Sequence, residues 1–250
     1  MNSTFNEFIM RGSYMIVNDA YPYFRNRADA GRRLAEDLRQ YRNEEVVVLA
    51  IPRGGVPVAV EVAKELGCQL EVVIPRKIPI PSNTEAGYGA VTEDGVIVLN
   101  ESLVRQLGFT RPEIERHAEE VKAEIKRRTA VFRTKLAPSD VRGKTAIIID
   151  DGIASGYTMM AAIKSIRQRG AAKVVAAAPV ASASAWELIK PMTDDTVCPI
   201  VAYTYSFAVA SFYQHWHDLT DEEVFEVLEG FMKGDRGKAH KYRGIALQQS

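Results

Sequence analysis

Two adjacent carboxylates, Asp150 and Asp151, come directly after a short apolar run and directly before a loop of small residues. Small side chains allow backbone N–H groups to converge on phosphate oxygens, and the hydroxyl groups of Ser155 and Thr158 add hydrogen-bond donors. A helix cap needs only one acid, whereas two neighbouring acids at the end of a buried strand repel each other and need a partner. The pattern therefore favours a site for a cation or a polyol beside a phosphate group over a simple capping pair.

Other phosphate-binding and phosphoryl-accepting motifs fit this segment less well. A Walker A loop would have a lysine after its second glycine, and the dinucleotide-binding fingerprint places its glycines at other spacings. Receiver domains also use acids at a strand end, where an aspartate accepts a phosphoryl group. That use does not explain the glycine-bearing loop between Gly152 and Gly156 that follows the acids.

The order of two acids and then the loop resembles the ribose-phosphate signature of the type I phosphoribosyltransferases. In that family the acids face the ribose hydroxyl groups of phosphoribosyl pyrophosphate (PRPP), and the loop holds its 5′-phosphate. Tyr157 departs from the family, which usually has a small residue there, although a contact through the backbone alone would tolerate it. The resemblance implies that the following residues contact the ribose phosphate: Asp150, Asp151, Gly152, Ile153, Ala154, Ser155, Gly156, Tyr157 and Thr158.

A second strand–loop–helix unit lies earlier in the chain, where an apolar run at 46–51 leads through a proline into an arginine and two glycines. A helix then follows to about Leu66. Alone, the glycine pair is a weak signal, because such pairs usually mark turns. In the phosphoribosyltransferases a loop at this place binds the pyrophosphate through backbone amides and often holds a strained peptide bond. The resemblance implies this role for Arg53, Gly54 and Gly55.

A basic pair, Arg76 and Lys77, follows the next predicted strand at 70–74. In open α/β sheets this end of the strand lies on the rim where ligands bind. The resemblance also places a basic residue here, near the leaving pyrophosphate. The alternative is a solvated pair of surface charges.

Residues 78–95 are rich in proline and glycine and lack a helical period, which predicts a long loop or a loose hairpin before a strand at 96–99. The position corresponds to the flexible catalytic loop of the phosphoribosyltransferases, which closes over PRPP. The resemblance implies that this closure excludes water from the reaction, with the backbone of 87–89 close to the ligand.

Residues 202–219 concentrate aromatic side chains. In the phosphoribosyltransferases, residues outside the sheet form a hood that grips the base. The resemblance implies that Phe212, Tyr213 and Trp216 stack on a planar acceptor. The alternative is that these side chains pack a C-terminal segment onto the core.

Apolar runs alternate with amphipathic helices along the chain, which predicts an α/β fold with a doubly wound, mostly parallel sheet flanked by helices and a small hood from the terminal segments. The clearest helix covers Arg111–Arg133. The predicted sheet strands are 46–51, 70–74, 146–149, 174–178 and 195–201. The predicted divisions are an N-terminal arm at 1–27, a phosphoribosyltransferase core at 28–201 with its flexible loop at about 78–95, a C-terminal hood and helix at 202–230, and a basic tail at 231–250.

Composition narrows the functional classes. The chain has 250 residues, of which 46% are hydrophobic and 26% charged, and its formal net charge of zero provides no global attraction to nucleic acid or to a membrane. No signal peptide and no membrane-length apolar run is evident. Cys68 and Cys198 are isolated, which argues against a cysteine metal site and fits a reducing compartment. We therefore expect a cytoplasmic protein.

The resemblance covers roughly residues 28–230 and extends to an uncharacterised bacterial and archaeal branch of the family. It implies transfer of the 5-phosphoribosyl group from PRPP to a nucleobase-like nitrogen acceptor, with release of pyrophosphate. Carboxylates prefer hard cations, so the expected cofactor is Mg²⁺, held mainly by the substrate and also by Asp150 and Asp151. We also expect a homodimer.

Two alternatives to this enzyme stay open. One is a PRPP-sensing regulator that keeps the pocket without transfer and acts through RNA or protein. The other is a domain of a larger assembly with minor activity of its own. The long loop at 78–95 and the neutral charge favour the enzyme.

Overall fold

The computed structural model describes residues 9–11, 14–19 and 21–242. Within these residues the central sheet has five parallel strands. In spatial order they are β11 (Asp195–Val197), β9 (Lys173–Ala177), β8 (Thr145–Ile149), β3 (Val46–Ala50) and β4 (Gln69–Val72). The predicted mostly parallel α/β sheet is confirmed.

Helices cover both faces of this sheet, because alternate residues of each buried strand point to opposite sides. The helices are α1 (Arg27–Asp37), α2 (Gly55–Leu66), α3 (Glu101–Leu107), α4 (Arg111–Arg133), α5 (Tyr157–Gln168), α6 (Ala183–Ile189) and α7 (Asp221–Tyr242). Val46, Val48 and Ala50 of β3 join an apolar cluster with α1, α2, α4 and α7. Val47 and Leu49 join a second cluster with α5 and α6.

A second sheet forms at one end of the fold. Its order is β1 (Ile9–Arg11), β2 (Tyr14–Val17), β12 (Ile200–Ala202) and β10 (Val180–Ser182), with β1 antiparallel and the other pairs parallel. The prediction of one strand at 195–201 is wrong, because the chain leaves the central sheet after β11 and enters the second sheet at β12. Pro199 lies at this break and has no N–H to continue a ladder. Within the predicted N-terminal arm, β1 and β2 form the first two strands of this sheet.

The stretch predicted as a long loop or a loose hairpin belongs to an antiparallel sheet of β5 (Arg76–Ile80), β6 (Asn83–Val91) and β7 (Ile97–Leu99). Tyr88 is buried at its centre. A Cβ at Gly89 would lie 2.4 Å from the carbonyl oxygen of Val98, so this glycine is needed for strand packing. The prediction that it brings backbone close to a ligand is therefore wrong for Gly89.

Several predicted helix ends agree with the structure. Helix α4 has the predicted bounds, and Gly67 ends α2 in the left-handed conformation with φ of 67°. Helix α7 runs through the predicted boundary between hood and tail at 230/231, and residues 243–250 of the predicted tail lie outside the described residues. Among the described helices, none has the length and apolar character that a membrane crossing requires.

Candidate active site

The two predicted ligand loops lie side by side at the carboxyl edge of the central sheet. Strands β3 and β8 pair in parallel with Ala50 opposite Ile149, so the loops that follow them are neighbours. A Cβ at Gly54 would lie 1.9 Å from Oδ2 of Asp151, and one at Gly55 would lie 2.6 Å from the carbonyl oxygen of Ile149. Both glycines are therefore required by the close approach of the loops.

A cavity of about 350 Å³ opens at this edge. The residues of the sequence prediction that line it are Arg53, Gly54, Arg76, Lys77, Asp150, Asp151 and Thr158. The peptide bond between Pro52 and Arg53 is cis. The structure thus brings acids, cations and a hydroxyl group from three separate strand ends to one cavity.

The two acids have different surroundings. The carboxylate of Asp151 accepts a hydrogen bond from Nε of Arg27 at 2.7 Å, within a buried ion pair. The carboxylate of Asp150 accepts the backbone N–H of Asp151 at 2.9 Å. Burial raises the pKa of Asp150 well above its usual range, and the charge of Asp151 adds to this. Burial also raises the pKa of Asp151, but Arg27 opposes the effect. Asp151 is therefore the paired carboxylate, and Asp150 is the one that gains most from a bound cation or hydroxyl group.

Sequence reasoning missed Arg27, which positions Asp151. Its Nη1 donates to the carbonyl oxygen of His217 at 3.0 Å, and its guanidinium lies 3.8 Å from the ring centre of Trp216. Arg27 precedes Ala30 and Leu34 at helical spacing on the buried stripe of α1. A charged residue at helical spacing with an apolar stripe could have indicated a buried ion pair, because a buried charge requires a partner.

The loop after the acids is held firmly at its middle. The N–H of Ile153 donates to the carbonyl oxygen of Val180 at 2.9 Å, and the carbonyl of Ile153 accepts the N–H of Ser182 at 2.8 Å. The hydroxyl group of Ser182 donates to the carbonyl oxygen of Ala154 at 2.6 Å. The predicted ligand contact through Ile153 is wrong, because its side chain is buried and its backbone groups are already paired.

The end of the same loop leads into the first turn of α5. Gly156 has φ of 83° and turns the chain into α5, whose first N–H groups have no partner within the helix. Ser155 is exposed beside them. The side chain of Tyr157 packs with the cluster of Ala90 and Val98, away from the loop backbone. The predicted phosphate contacts of Ser155–Thr158 remain a prediction.

Gly152 also has a packing role, because a Cβ there would lie 2.5 Å from Cγ1 of Val209. This contact brings the hood segment directly over the loop that follows the acids. A ligand contact of Gly152 stays a prediction.

The cations of the cavity are paired with acids from α4 and α7. Arg76 forms an ion pair with Glu124 of α4. Nη1 of Arg53 lies 3.9 Å from Oδ1 of Asp221, and Nη2 of Arg128 donates to the same oxygen at 3.1 Å. Arg128 also lines the cavity. Sequence reasoning missed it, since α4 contains many basic residues and no pattern distinguishes this one.

The predicted stacking role is wrong for two of the three aromatic residues. Phe212 and Tyr213 are buried in an apolar cluster beside the second sheet, where a ligand ring cannot reach their faces. The hydroxyl group of Tyr213 donates to the backbone oxygen of Asp151 at 2.5 Å. Trp216 is half-buried and one face of its ring is covered by Arg27. Tyr213 thus contacts Asp151 directly, and Trp216 contacts the arginine that pairs with it.

A wider cavity of about 570 Å³ lies on the other side of the 152–156 loop. Ala154 of that loop lines it, together with Ser182 and the exposed aromatic residues Tyr203 and Tyr205. It offers a second, aromatic-walled space next to the loop.

The donor set fits a magnesium ion that is shared with a phosphorylated substrate. Among the described residues no group of three or more histidine, cysteine, aspartate or glutamate side chains could hold a metal by itself. Asp150 lines the cavity with a carboxylate that a cation would stabilise, and Mg²⁺ takes most of its other ligands from water and phosphate.

A model of the phosphoribosyl transferase domain matches residues 19–210. The chain belongs to the phosphoribosyl transferase family. The crystal structure of TT1426 from Thermus thermophilus is 36% identical, covers 83% of this chain and 98% of its own, and superposes with a TM-score of 0.67. A protein of Mycobacterium tuberculosis (strain CDC 1551 / Oshkosh), provisionally named a phosphoribosyl transferase, is 39% identical over 206 residues, which are 82% of this chain and 46% of that protein. The chain thus spans about half the length of the curated relatives it matches. The family predicted from the sequence is confirmed.

Proposed function

We propose that this protein transfers the 5-phosphoribosyl group of PRPP to a planar nitrogen acceptor and releases pyrophosphate. The observation that carries the proposal is one cavity in which Arg53, Arg76 and Lys77 face the carboxylates of Asp150 and Asp151. A ligand with a diphosphate at one end and ribose hydroxyl groups nearby matches this distribution of charge.

Each group has a role in this reaction. The bond between C1 of the ribose and the pyrophosphate oxygen breaks while the acceptor nitrogen bonds to C1, so positive charge develops on the ribose. The carboxylate of Asp150 stabilises that charge and binds a ribose hydroxyl group, and Arg27 holds the carboxylate of Asp151 beside it. The cations stabilise the departing pyrophosphate, and the 5′-phosphate is held by the first N–H groups of α5.

Magnesium supports this arrangement without a dedicated protein cage. When bound with PRPP, Mg²⁺ would neutralise diphosphate charge, and Asp150 is the carboxylate that would contact it. Asp151 is less suited to this contact because Arg27 already occupies its carboxylate.

The acceptor site is proposed at the wider cavity beside Ala154, in place of the buried Phe212 and Tyr213. Tyr203 and Tyr205 expose aromatic rings there, and a stacked planar ring would gain about 0.5–1.5 kcal/mol per aromatic contact. This favours a heterocyclic acceptor without selecting one ring.

The test combines binding and turnover. Isothermal titration with PRPP in the presence of MgCl₂ should give saturable binding, and a panel of nucleobases should then reveal release of pyrophosphate. Asp150→Asn should lower kcat by about 10²–10³. Asp140→Asn is the matched control, since Asp140 is an exposed acid that precedes β8 at the opposite edge of the sheet and should leave kcat unchanged. Absence of PRPP binding would refute the proposal.

A second candidate, a PRPP-sensing protein without transfer, is favoured by one observation. The segment expected to be a mobile catalytic loop forms the paired strands β5, β6 and β7, so the argument from a long unstructured loop no longer favours an enzyme. Tight PRPP binding with no pyrophosphate release across the panel would favour the sensor.

A further inference from the structure

Arg128 is a cation of the cavity wall with unmet hydrogen-bonding capacity. Its side chain is 18% exposed, and it reaches the cavity from α4, an element that carries none of the predicted ligand residues. Its Nε is buried and has no hydrogen-bond partner among the described residues. A buried donor without a partner is destabilising, so a ligand that supplies an acceptor is favoured at this position.

Three guanidinium groups at this wall, those of Arg53, Arg76 and Arg128, share two acidic partners, Asp221 and Glu124. Burial lowers the pKa of Arg128, Asp221 opposes this effect, and the nearby charges of Arg76 and Arg53 lower the pKa further. Arginine stays protonated in proteins, so the repulsion remains as an energetic cost. A polyanion in the cavity would relieve it.

One carboxylate serves two of these guanidinium groups. Oδ1 of Asp221 lies 3.1 Å from Nη2 of Arg128 and 3.9 Å from Nη1 of Arg53. The Asp221 side chain is 42% exposed, so these contacts are weakly held and an anion can replace them. Asp221 is the first residue of α7, outside both ligand loops.

We propose that Arg128 binds the diphosphate end of the ligand, and that Asp221 is the intramolecular acid that Arg128 and Arg53 exchange for it. The identity of the ligand as PRPP rests on the proposed function. The anion site itself requires only a compact diphosphate. Guanidinium groups match such an anion because their fork of donors binds two phosphate oxygens together.

The experiment uses inorganic pyrophosphate with Mg²⁺ as the probe and isothermal titration at fixed ionic strength. Arg128→Met keeps the length of the side chain and removes the charge, and it should weaken pyrophosphate binding about 10- to 100-fold, the scale of a charged hydrogen bond. Ribose 5-phosphate lacks the diphosphate and offers Arg128 no partner. Its binding should therefore change less than about twofold, which is the size of a weak, solvent-screened charge effect. Arg127→Met is the matched control, since the exposed neighbouring arginine changes the net charge equally and does not line the cavity.

Asp221→Asn tests the exchange separately. Removing the competing carboxylate should strengthen pyrophosphate binding by about two- to fivefold, the scale of an exposed ion pair. Equal pyrophosphate affinities of the wild type and Arg128→Met, or an equal loss in Arg127→Met, would overturn the role of Arg128. Weaker binding by Asp221→Asn would overturn the exchange.

The outcomes also separate this inference from the proposed function. A wild-type protein that transfers to an acceptor while Arg128→Met binds pyrophosphate normally overturns the inference alone. A protein that binds pyrophosphate through Arg128 but releases none from PRPP supports the inference and refutes transfer.

Discussion

Replacing Arg27 with methionine removes the cation that holds Asp151. The ion pair is buried, with the two side chains 8% and 13% exposed, so solvent screens it little. Removing one member of a buried pair leaves an uncompensated charge and costs about 3–5 kcal/mol. The loss of the contact with the Trp216 ring acts in the same direction. At about 2–4 °C per kcal/mol for a domain of this size, Tm should fall by about 6–20 °C.

Urea unfolding at pH 7, followed by circular dichroism, measures this cost. Arg32→Met is the matched control on the same helix, because Arg32 is 55% exposed and its ion pairs should contribute about 0–1 kcal/mol. The double variant Arg27→Met/Asp151→Asn should recover much of the lost stability, since neither charge then remains.

Acid should also reduce the stability deficit of Arg27→Met relative to the wild type. Without Arg27, burial alone acts on Asp151 and its folded-state pKa lies above the unfolded value. A raised folded pKa adds stability that is fully present below the unfolded value of about 3.9 and is lost as pH rises through the folded value. The deficit should therefore shrink as pH falls from 7 towards about 4. A loss below about 1 kcal/mol, or a double variant no more stable than the single one, would refute the reasoning.

Three further predictions concern the same edge of the sheet. Gly54→Ala should displace the Asp151 carboxylate and lower the free energy of unfolding in urea by about 1–3 kcal/mol. Gly230→Ala is the control in α7, where a Cβ meets nothing within 4 Å, and it should be neutral or stabilising. Equal effects of the two substitutions would contradict the steric argument. Asp150→Asn should stabilise the protein at pH 7, because burial and Asp151 raise the pKa of Asp150 in the folded state. This gain in stability should vanish below the unfolded pKa of about 3.9, where the wild-type carboxyl is also neutral. A less stable Asp150→Asn at pH 7 would contradict the prediction. The backbone amides of 76–91 that pair between strands should be protected from hydrogen exchange without any ligand. Rapid exchange of these amides would instead support the predicted mobile loop.

The two ligand loops could be predicted because their signals are local. The acids, the small residues and the glycine pair each lie within a few positions, and parallel strand ends meet at one edge of a sheet. The requirement for Gly54 comes from a contact with Asp151, 97 positions along the chain, which the glycine pair alone does not indicate.

The supporting residues could not be predicted in the same way. Arg27 and Arg128 act through partners far along the chain, and neither sits in a recognisable motif. Phe212 and Tyr213 have the composition of a stacking site, but large aromatic residues serve cores equally well, and only their burial distinguishes the two uses. The division of 195–201 between two sheets depended on Pro199 and on the presence of β2 as a partner.

The contacts of Arg27 also set the order in which the protein can mature during synthesis. Arg27 is made 124 residues before Asp151 and 190 residues before His217. The strands β3 and β4 and the helix α2 between them can therefore leave the ribosome long before the buried charge has its partner. Until Asp151 emerges, Arg27 must stay hydrated, and the closure of so long a loop is entropically costly and slow. The edge of the sheet that carries the two acids is thus completed late, by chain that the ribosome adds after most of the core.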